Sequence, residues 1–145
     1  MVSITADLVV VPLASEEDAH DTITTLREYL DPGTTVLVVH VIEKAGGAPD
    51  KASVEQLEER AEKIFTIARH HLADSEIDVE SDVLYGTDVA DTILEAAADA
   101  DADLIAFSPR EASRLARLLT GDVAMNLITE TDRPTLVVPT DGSEE

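Results

Sequence analysis

Residues 104–127 read LIAFSPREASRLARLLTGDVAMNL, and this stretch decides how the rest of the chain is interpreted. The apolar run at residues 104–107 predicts a buried strand, and the segment after Gly121 predicts a helix that begins near Val123. Between them lies a polar loop that carries three arginines. A strand, a loop and a helix N-terminus in this order can hold an anion such as phosphate, through free backbone N–H groups and the helix dipole.

Strand and helix patterns alternate through the rest of the chain. Branched apolar runs and one alternating, less buried run predict four more strands, over residues 4–12, 34–42, 77–85 and 135–139. Apolar residues at helical spacing predict four helices, over residues 15–30, 53–72, 88–100 and 123–131. The alternation predicts one α/β domain, residues 1–145, with a five-stranded, parallel, doubly wound sheet, helices on both faces and an acidic tail at residues 141–145.

The segment YGTDVADTILEAAADADADLIAFS, residues 85–108, resembles the turn, helix and strand that precede the glycine loop in the universal stress protein (UspA-like) family. The resemblance covers nearly the whole chain and implies the strand order 3-2-1-4-5. Ligands of doubly wound sheets bind beyond the carboxyl ends of the strands where the order reverses, here between strands one and four. The residues expected to line that crevice are Pro12, Leu13, Ala14, Ser15, Ser108, Pro109 and Arg110.

The glycine loop itself departs from the family. Members that bind ATP carry a glycine, two residues, a second glycine, nine residues, and a third glycine followed by serine or threonine. The resemblance places Ser108, Glu111 and Gly121 at the three glycines and Asp122 at the hydroxyl residue, so only Gly121 keeps the motif. Side chains at Ser108 and Glu111 would take the space that a phosphate needs, and the Asp122 carboxylate would repel it.

We therefore interpret Asp122 as the N-cap of the helix that begins at Val123, with a phosphate contact through Gly121, Asp122 and Val123 as the alternative. In the nucleotide-binding relatives an aspartate follows strand one, in segments such as VPVDGSE, whereas VPLASEE places Ala14 there. Val41 corresponds to the position whose backbone meets adenine in those relatives, and we interpret it as sheet core. No bound cofactor is expected, and ATP with Mg²⁺ is the alternative.

Arg110, Arg114 and Arg117 form a local basic patch in a chain with only ten Lys and Arg residues. Their spacing places them along one side of a helical turn if the loop is helical. The patch could replace the glycine loop as an anion site, because guanidinium groups bind phosphate in a forked geometry. We favour the alternative, ion pairing with Glu111, the acidic tail or a partner subunit, since surface ion pairs are common.

The net charge of -21 is the strongest compositional signal. Because 44% of the residues are hydrophobic and periodically arranged, the acidity predicts a charged shell on a folded core, not disorder. Self-repulsion of this size is removed by molar salt, and with only three lysines the composition indicates a salt-accumulating organism. An ordinary acidic protein is the alternative. In either case nucleic acid is excluded as a partner, since it is a polyanion.

The sequence predicts no catalytic residue and no metal site. It contains no cysteine, no apolar run long enough to span a membrane and no visible secretory signal, so we expect a cytoplasmic protein. His40 lies within a strand and is expected to be packed with one satisfied nitrogen; the other histidines are expected on helix surfaces, at His20, His70 and His71. An acidic run could hold Mg²⁺, but we interpret it as a solvated turn: Asp99, Asp101 and Asp103.

The apolar strand from Thr135 to Pro139 would be an exposed sheet edge in a monomer. The family resemblance implies dimerisation through that strand, so we expect a homodimer. The sequence favours a binding or regulatory stress protein that does not hold ATP. Two alternatives stay open: a nucleotide binder that uses the arginines, with slow ATP hydrolysis at most, and a sensor of another small anion.

Overall fold

The structure of the chain, a computed structural model, describes residues 5–43, 51–108 and 121–139. Strands and helices alternate in it as β1 (Leu8–Pro12), α1 (Glu16–Leu26), β2 (Thr35–Glu43), α2 (Lys51–Leu72), β3 (Asp78–Gly86), α3 (Val89–Ala100), β4 (Leu104–Phe107), α4 (Gly121–Glu130) and β5 (Thr135–Val137). The strands form one sheet in the order β3-β2-β1-β4-β5, and every pairing is parallel. The predicted doubly wound sheet and its strand order are confirmed.

The middle of the sheet is buried on both sides. Val9 and Val10 are adjacent in β1, and because side chains alternate along a strand they enter two different cores. Val9 packs in the core that α1 and α2 cover, together with Ile23 and Phe65. Val10 packs in the core that α3 and α4 cover, together with Ile93. Helices therefore cover both faces, as the sequence predicts.

The two edges of the sheet differ. β3 is an edge strand whose residues are exposed or half-buried, which confirms that this alternating strand is less buried than the others. Tyr85, near the end of β3, donates a hydrogen bond to the Glu58 carboxylate on α2. β5 forms the other edge and is short, with three residues. Within the described ranges, no helix is long and apolar enough to cross a bilayer.

Several predicted boundaries were wrong. Helix α1 ends at Leu26, not near Leu30, because the N–H groups of Glu28 and Tyr29 donate to carbonyls only three residues back and tighten the chain into a turn. Leu30 is nevertheless buried, so it continues the apolar spacing without being helical. At other ends the differences are shorter: α2 begins at Lys51 instead of residue 53, β5 ends at Val137 instead of residue 139, and β1 begins at Leu8.

The late start of β1 has a specific cause. The Asp103 carboxylate accepts hydrogen bonds from the backbone N–H groups of Asp7 and Leu8, at 2.9 and 3.0 Å, where the strand begins. In the same acidic run Asp101 ends α3 in the left-handed conformation, with φ of 56°. The run that was interpreted as a solvated turn thus also organises the backbone, because two of its three acids hold fixed positions.

Candidate functional site

The strand order reverses between β1 and β4, which are paired through Val9 with Leu104 and Val10 with Ile105. After β1 the chain turns toward α1 on one face, and the helix that follows β4 packs on the other face. The two connections therefore diverge at the carboxyl ends of adjacent strands, which opens a crevice. Leu13, Ala14 and Ser108 begin these connections, so the structure brings together three of the predicted site residues.

The turn after β1 is closed by a buried carboxylate. Asp18 is 0% exposed, and its Oδ2 accepts a hydrogen bond of 2.9 Å from the backbone N–H of Ala14. Its Oδ1 accepts a hydrogen bond of 2.8 Å from the hydroxyl of Thr22, one turn further along α1. The Ser15 hydroxyl caps the helix by accepting from the N–H of Asp18, at 3.1 Å. Ser15 and Asp18 together form a variant of the capping box, in which the acid reaches back to the residue before the cap.

Asp18 is the residue of this site that sequence reasoning missed. It stands with Glu16 and Glu17 in the first turn of α1, where a carboxylate normally faces solvent and interacts favourably with the helix dipole. The spacing Ser-x-x-Asp before an apolar run is the signal that could have identified it. Because Ala14 already donates its N–H to Asp18, this donor is not available to a ligand in the crevice.

Leu13 is held from β2. Its N–H donates to the carbonyl of Val39 at 2.9 Å, and its carbonyl lies 2.8 Å from Nδ1 of His40, which donates when it carries the proton. Burial lowers the pKa of His40; the hydrogen bond to Leu13 opposes this shift, and the charge of Arg60 adds to it. His40 is therefore packed and neutral, with one nitrogen satisfied, as predicted. The side chain of Val41 is buried in the core beside α3.

The side chain of Ser108 bonds to the neighbouring backbone. It is 1% exposed, and its hydroxyl donates a hydrogen bond of 2.7 Å to the carbonyl of Val138. The N–H of Val138 in turn donates to the carbonyl of Phe107, so Ser108 extends the pairing of β4 with the chain after β5. That Ser108 takes the space of a phosphate stays a prediction.

The start of α4 also corrects a prediction. The described helix spans Gly121–Glu130, so residue 122 lies inside it and is not the N-cap. Val123 is half-buried against the core beside α3. The remaining candidates of the loop lie outside the described residues: Pro109, Arg110, Glu111, Arg114 and Arg117.

A cavity of about 280 Å³ opens beside the turn after β1 and is lined by Ser15, Glu16, Glu17 and Arg60. Two carboxylates and one guanidinium give this lining a net negative charge at neutral pH. In residues 5–43, 51–108 and 121–139 there is no group of three or more His, Asp or Glu side chains placed to hold a metal ion. The described part of the site thus offers an acidic surface and few free backbone donors.

A parallel, doubly wound sheet with its candidate site at the reversal of strand order defines the class of α/β proteins that bind small ligands at the carboxyl ends of their strands. Residues 6–139 match the model of the universal stress protein family, and the chain belongs to this family.

Similarity to individual proteins supports this assignment. The stress response protein NhaX of Bacillus subtilis (strain 168) is 36% identical over 81 residues, which are 56% of this chain and 48% of that protein, so the match spans about half the length of the relative. The universal stress protein of Archaeoglobus fulgidus in complex with dAMP superposes with a TM-score of 0.64 at 20% identity, over 96% of this chain and 100% of that one. A universal stress protein in complex with cAMP gives 0.64 at 18% identity, over 94% and 99%. At these identities the solved structures show a shared fold.

Proposed function

We propose that the protein is a cytoplasmic universal stress protein that acts as a binding or regulatory homodimer and does not hold ATP at its crevice. The observation that carries the proposal is the buried Asp18 carboxylate, which occupies the Ala14 N–H beside the crevice. The position of Ala14 is the one at which the nucleotide-binding relatives carry an aspartate, so a ligand would meet neither that side chain nor a free amide.

Electrostatics supports the same conclusion. Like charges a few ångströms apart repel strongly where water is excluded, and a triphosphate would bring several negative charges to this edge of the sheet. The cavity beside Ser15 already carries Glu16 and Glu17 against one arginine, Arg60. The chain as a whole carries -21, which adds a long-range repulsion at low salt.

The proposed dimer interface is the β5 edge. In the part of the chain that the structure describes, β5 pairs with β4 on one side only, and Val137 is 44% exposed. Met125 and Ile128, three residues apart on α4, are 59% and 48% exposed and share one face of that helix. An exposed apolar edge strand favours pairing with another strand, and a second copy of the chain supplies an identical one.

The absence of bound nucleotide is tested directly. The protein is purified and kept in molar KCl, then denatured, and the supernatant is analysed for adenine nucleotides by chromatography. We expect no stoichiometric nucleotide to be released. One nucleotide per chain would overturn the proposal, and an ATP-binding relative treated in parallel shows that the release step works.

The dimer is tested independently by light scattering of the wild type and of a Val137→Lys variant. We expect a dimer for the wild type and a monomer for the variant, because a charge on the edge strand opposes pairing. A matched Tyr85→Lys variant, on the opposite edge of the sheet, should remain a dimer. A monomeric wild type would contradict the proposed assembly.

A second candidate function, nucleotide binding, is favoured by the dAMP and cAMP complexes of two structural neighbours. In this case the arginines of the loop would replace the missing glycines. Thermal shift against ATP, AMP and Mg²⁺, with Arg110→Ala and Arg114→Ala as controls, separates the candidates. A nucleotide-dependent rise in Tm that both variants abolish would favour the second function, whereas a rise with phosphate alone would indicate a sensor of a small anion.

The acidity leads to a proposal about the working conditions. Because exposed charges repel less when the Debye length shrinks, we expect the protein to be adapted to molar salt. Melting followed by circular dichroism should give a markedly higher Tm in molar KCl than in dilute buffer. An equal Tm in both would indicate an ordinary acidic protein.

A further inference from the structure

Outside the crevice, three histidines lie together where α1 packs against α2. Nδ1 of His20 and Nε2 of His71 are 2.8 Å apart, with ring centroids at 4.7 Å and ring planes at 60°. The ring of His70 lies 5.5 Å from that of His71, nearly edge-on. His71 is eleven residues beyond Arg60 on the same helix, about 16 Å along the axis, so the cluster is separate from the cavity beside the crevice.

The pair is held in position by its surroundings. Arg27 donates a hydrogen bond of 2.6 Å to the backbone carbonyl of His71 and a second, of 3.2 Å, to the carboxylate of Asp74. These contacts fix the last turn of α2 against the end of α1, so the two imidazoles face each other across a defined helix interface. His20 is exposed and His71 is half-buried, which leaves the pair accessible to solvent.

The hydrogen bond between the rings bears on their protonation. It needs one nitrogen that accepts, so at least one of the two rings is neutral at that nitrogen. Neutral imidazole is the form that binds a metal ion.

The chemistry of the two nitrogens indicates the type of ion. The hydrogen bond of 2.8 Å brings two imidazole nitrogens to one point on the surface. Imidazole is a ligand of Zn²⁺, Cu²⁺ and Ni²⁺, and of the divalent first-row ions Cu²⁺ binds nitrogen ligands most tightly.

We infer that His20 and His71 form a cross-helix site for a divalent transition-metal ion of the Cu²⁺ and Ni²⁺ type, with water completing the coordination. Nδ1 of His20 and Nε2 of His71 each supply one lone pair. The proton that lies between them moves, through solvent, to the second nitrogen of its own ring, so no net proton is released from two neutral imidazoles. The bound ion links α1 to α2 and stabilises the folded chain.

The test is titration of the full chain with CuSO₄ in a non-chelating buffer at high salt, followed by melting temperature and by the visible absorption of the copper. We expect Tm to rise with the copper concentration and the spectrum to show nitrogen ligation. His20→Ala and His71→Ala should each weaken binding by about tenfold or more, since even the loss of an outer-shell partner costs that much. His70→Ala is the matched control and should retain the site.

A second divalent ion separates imidazole binding from binding to the acidic surface. Mg²⁺ prefers oxygen ligands, so it should bind without the His-dependent rise in Tm. The inference is wrong if Mg²⁺ raises Tm as much as Cu²⁺ does, if His20→Ala and His71→Ala keep the copper-dependent rise, or if His70→Ala loses it to the same extent. Circular dichroism before the titration confirms that each variant is folded, and both His→Gln variants serve if either alanine variant is not.

Discussion

Two turns of this molecule each lead from a strand into a capped helix, but different contacts close them. The turn from β1 to α1 and the turn from β3 to α3 each end in a polar cap, with Ser15 accepting from the N–H of Asp18 at 3.1 Å and Asp88 accepting from the N–H of Asp91 at 2.9 Å. In the first turn the acid at the third helical position is buried and bonds back to Ala14. The corresponding acid of the second turn, Asp91, is exposed.

This difference shows that helix capping alone does not explain why Asp18 is buried. The second turn closes through close backbone approach, because a Cβ at Gly86 would lie 2.0 Å from the hydroxyl oxygen of Thr92. The first turn has no glycine and closes through a carboxylate that satisfies Ala14 and Thr22. It lies at the centre of the sheet, where doubly wound sheets bind ligands. The buried carboxylate therefore closes the turn and also removes a backbone donor from the crevice.

The largest effect is expected from Asp18→Ala. The substitution removes the acceptor of two buried donors, so the free energy of unfolding should fall by about 3 kcal/mol. Denaturant unfolding at high salt measures the loss. Asp18→Asn, which keeps the size and one acceptor oxygen, should lose less. If Asp18→Ala lowers the free energy of unfolding by no more than the loss of an ordinary helix cap does, the buried carboxylate does not distinguish the first turn from the second.

The second turn is probed by Gly86→Ala, which should cost about 2 kcal/mol because the added Cβ meets Thr92. Thr92 also donates a hydrogen bond of 2.7 Å to the carbonyl of Asp88, so it cannot rotate away without losing that bond. In a Thr92→Ala background the same glycine substitution should cost clearly less. A double-mutant cycle on the unfolding free energies measures this coupling, and additive losses would contradict the close approach.

Ser15→Ala and Asp88→Ala compare the two helix caps directly, because the caps should contribute equally to the free energy of unfolding. Each substitution removes one hydrogen bond to the first turn of a helix and should cost about 1 kcal/mol. Thermal or denaturant unfolding of the two variants side by side checks the equality. A loss at Ser15 as large as that at Asp18 would mean that the cap, and not the buried carboxylate, holds the first turn.

Most of the fold could be predicted from the sequence, because buried parallel strands and amphipathic helices leave clear apolar patterns. The end of α1 could not, since Leu30 is buried at helical spacing although the helix stops at Leu26. The spacing of apolar residues indicates which side chains are buried. It does not indicate where the backbone hydrogen bonds change from a separation of four residues, as in an α-helix, to a separation of three.

The contacts around the predicted site could be foreseen only in part. Ala14, Ser108 and Val41 were selected from the motif, whereas the direction of the Ser108 hydroxyl depends on the Val138 carbonyl, 30 residues away. In the sequence Asp18 cannot be distinguished from a surface acid, because the acidic composition and the helix dipole explain an acid at this position equally well. Tertiary contacts of this kind are not encoded in local spacing.

His40→Asn is expected to have the smallest effect, and it acts on the first turn alone. Burial lowers the pKa of His40, so below the ordinary value of 6.5 the unfolded chain takes up a proton that the folded chain resists. Stability should therefore be lost as the pH falls through about 6.5, and Asn, whose amide can donate to the Leu13 carbonyl in the same way, should remove that part of the slope. Unfolding free energy as a function of pH measures the difference.

Amide hydrogen exchange measures which part of the chain is destabilised when the pH is lowered. Between pH 7 and about 5, above the range in which carboxylates titrate, the N–H groups of Leu13 and Ala14 should lose protection in the wild type and keep it in His40→Asn. The N–H of Asp91, in the second turn, should be unaffected in both proteins, because in the described residues the side-chain hydrogen bond of His40 goes to the first turn, at Leu13. His71, whose pKa is also lowered, adds a slope of the same sign at α1 and α2, and His71→Gln subtracts it. Equal loss of protection in the two turns would mean that acid loosens the whole domain, and the distinction between the turns would then rest on Asp18 alone.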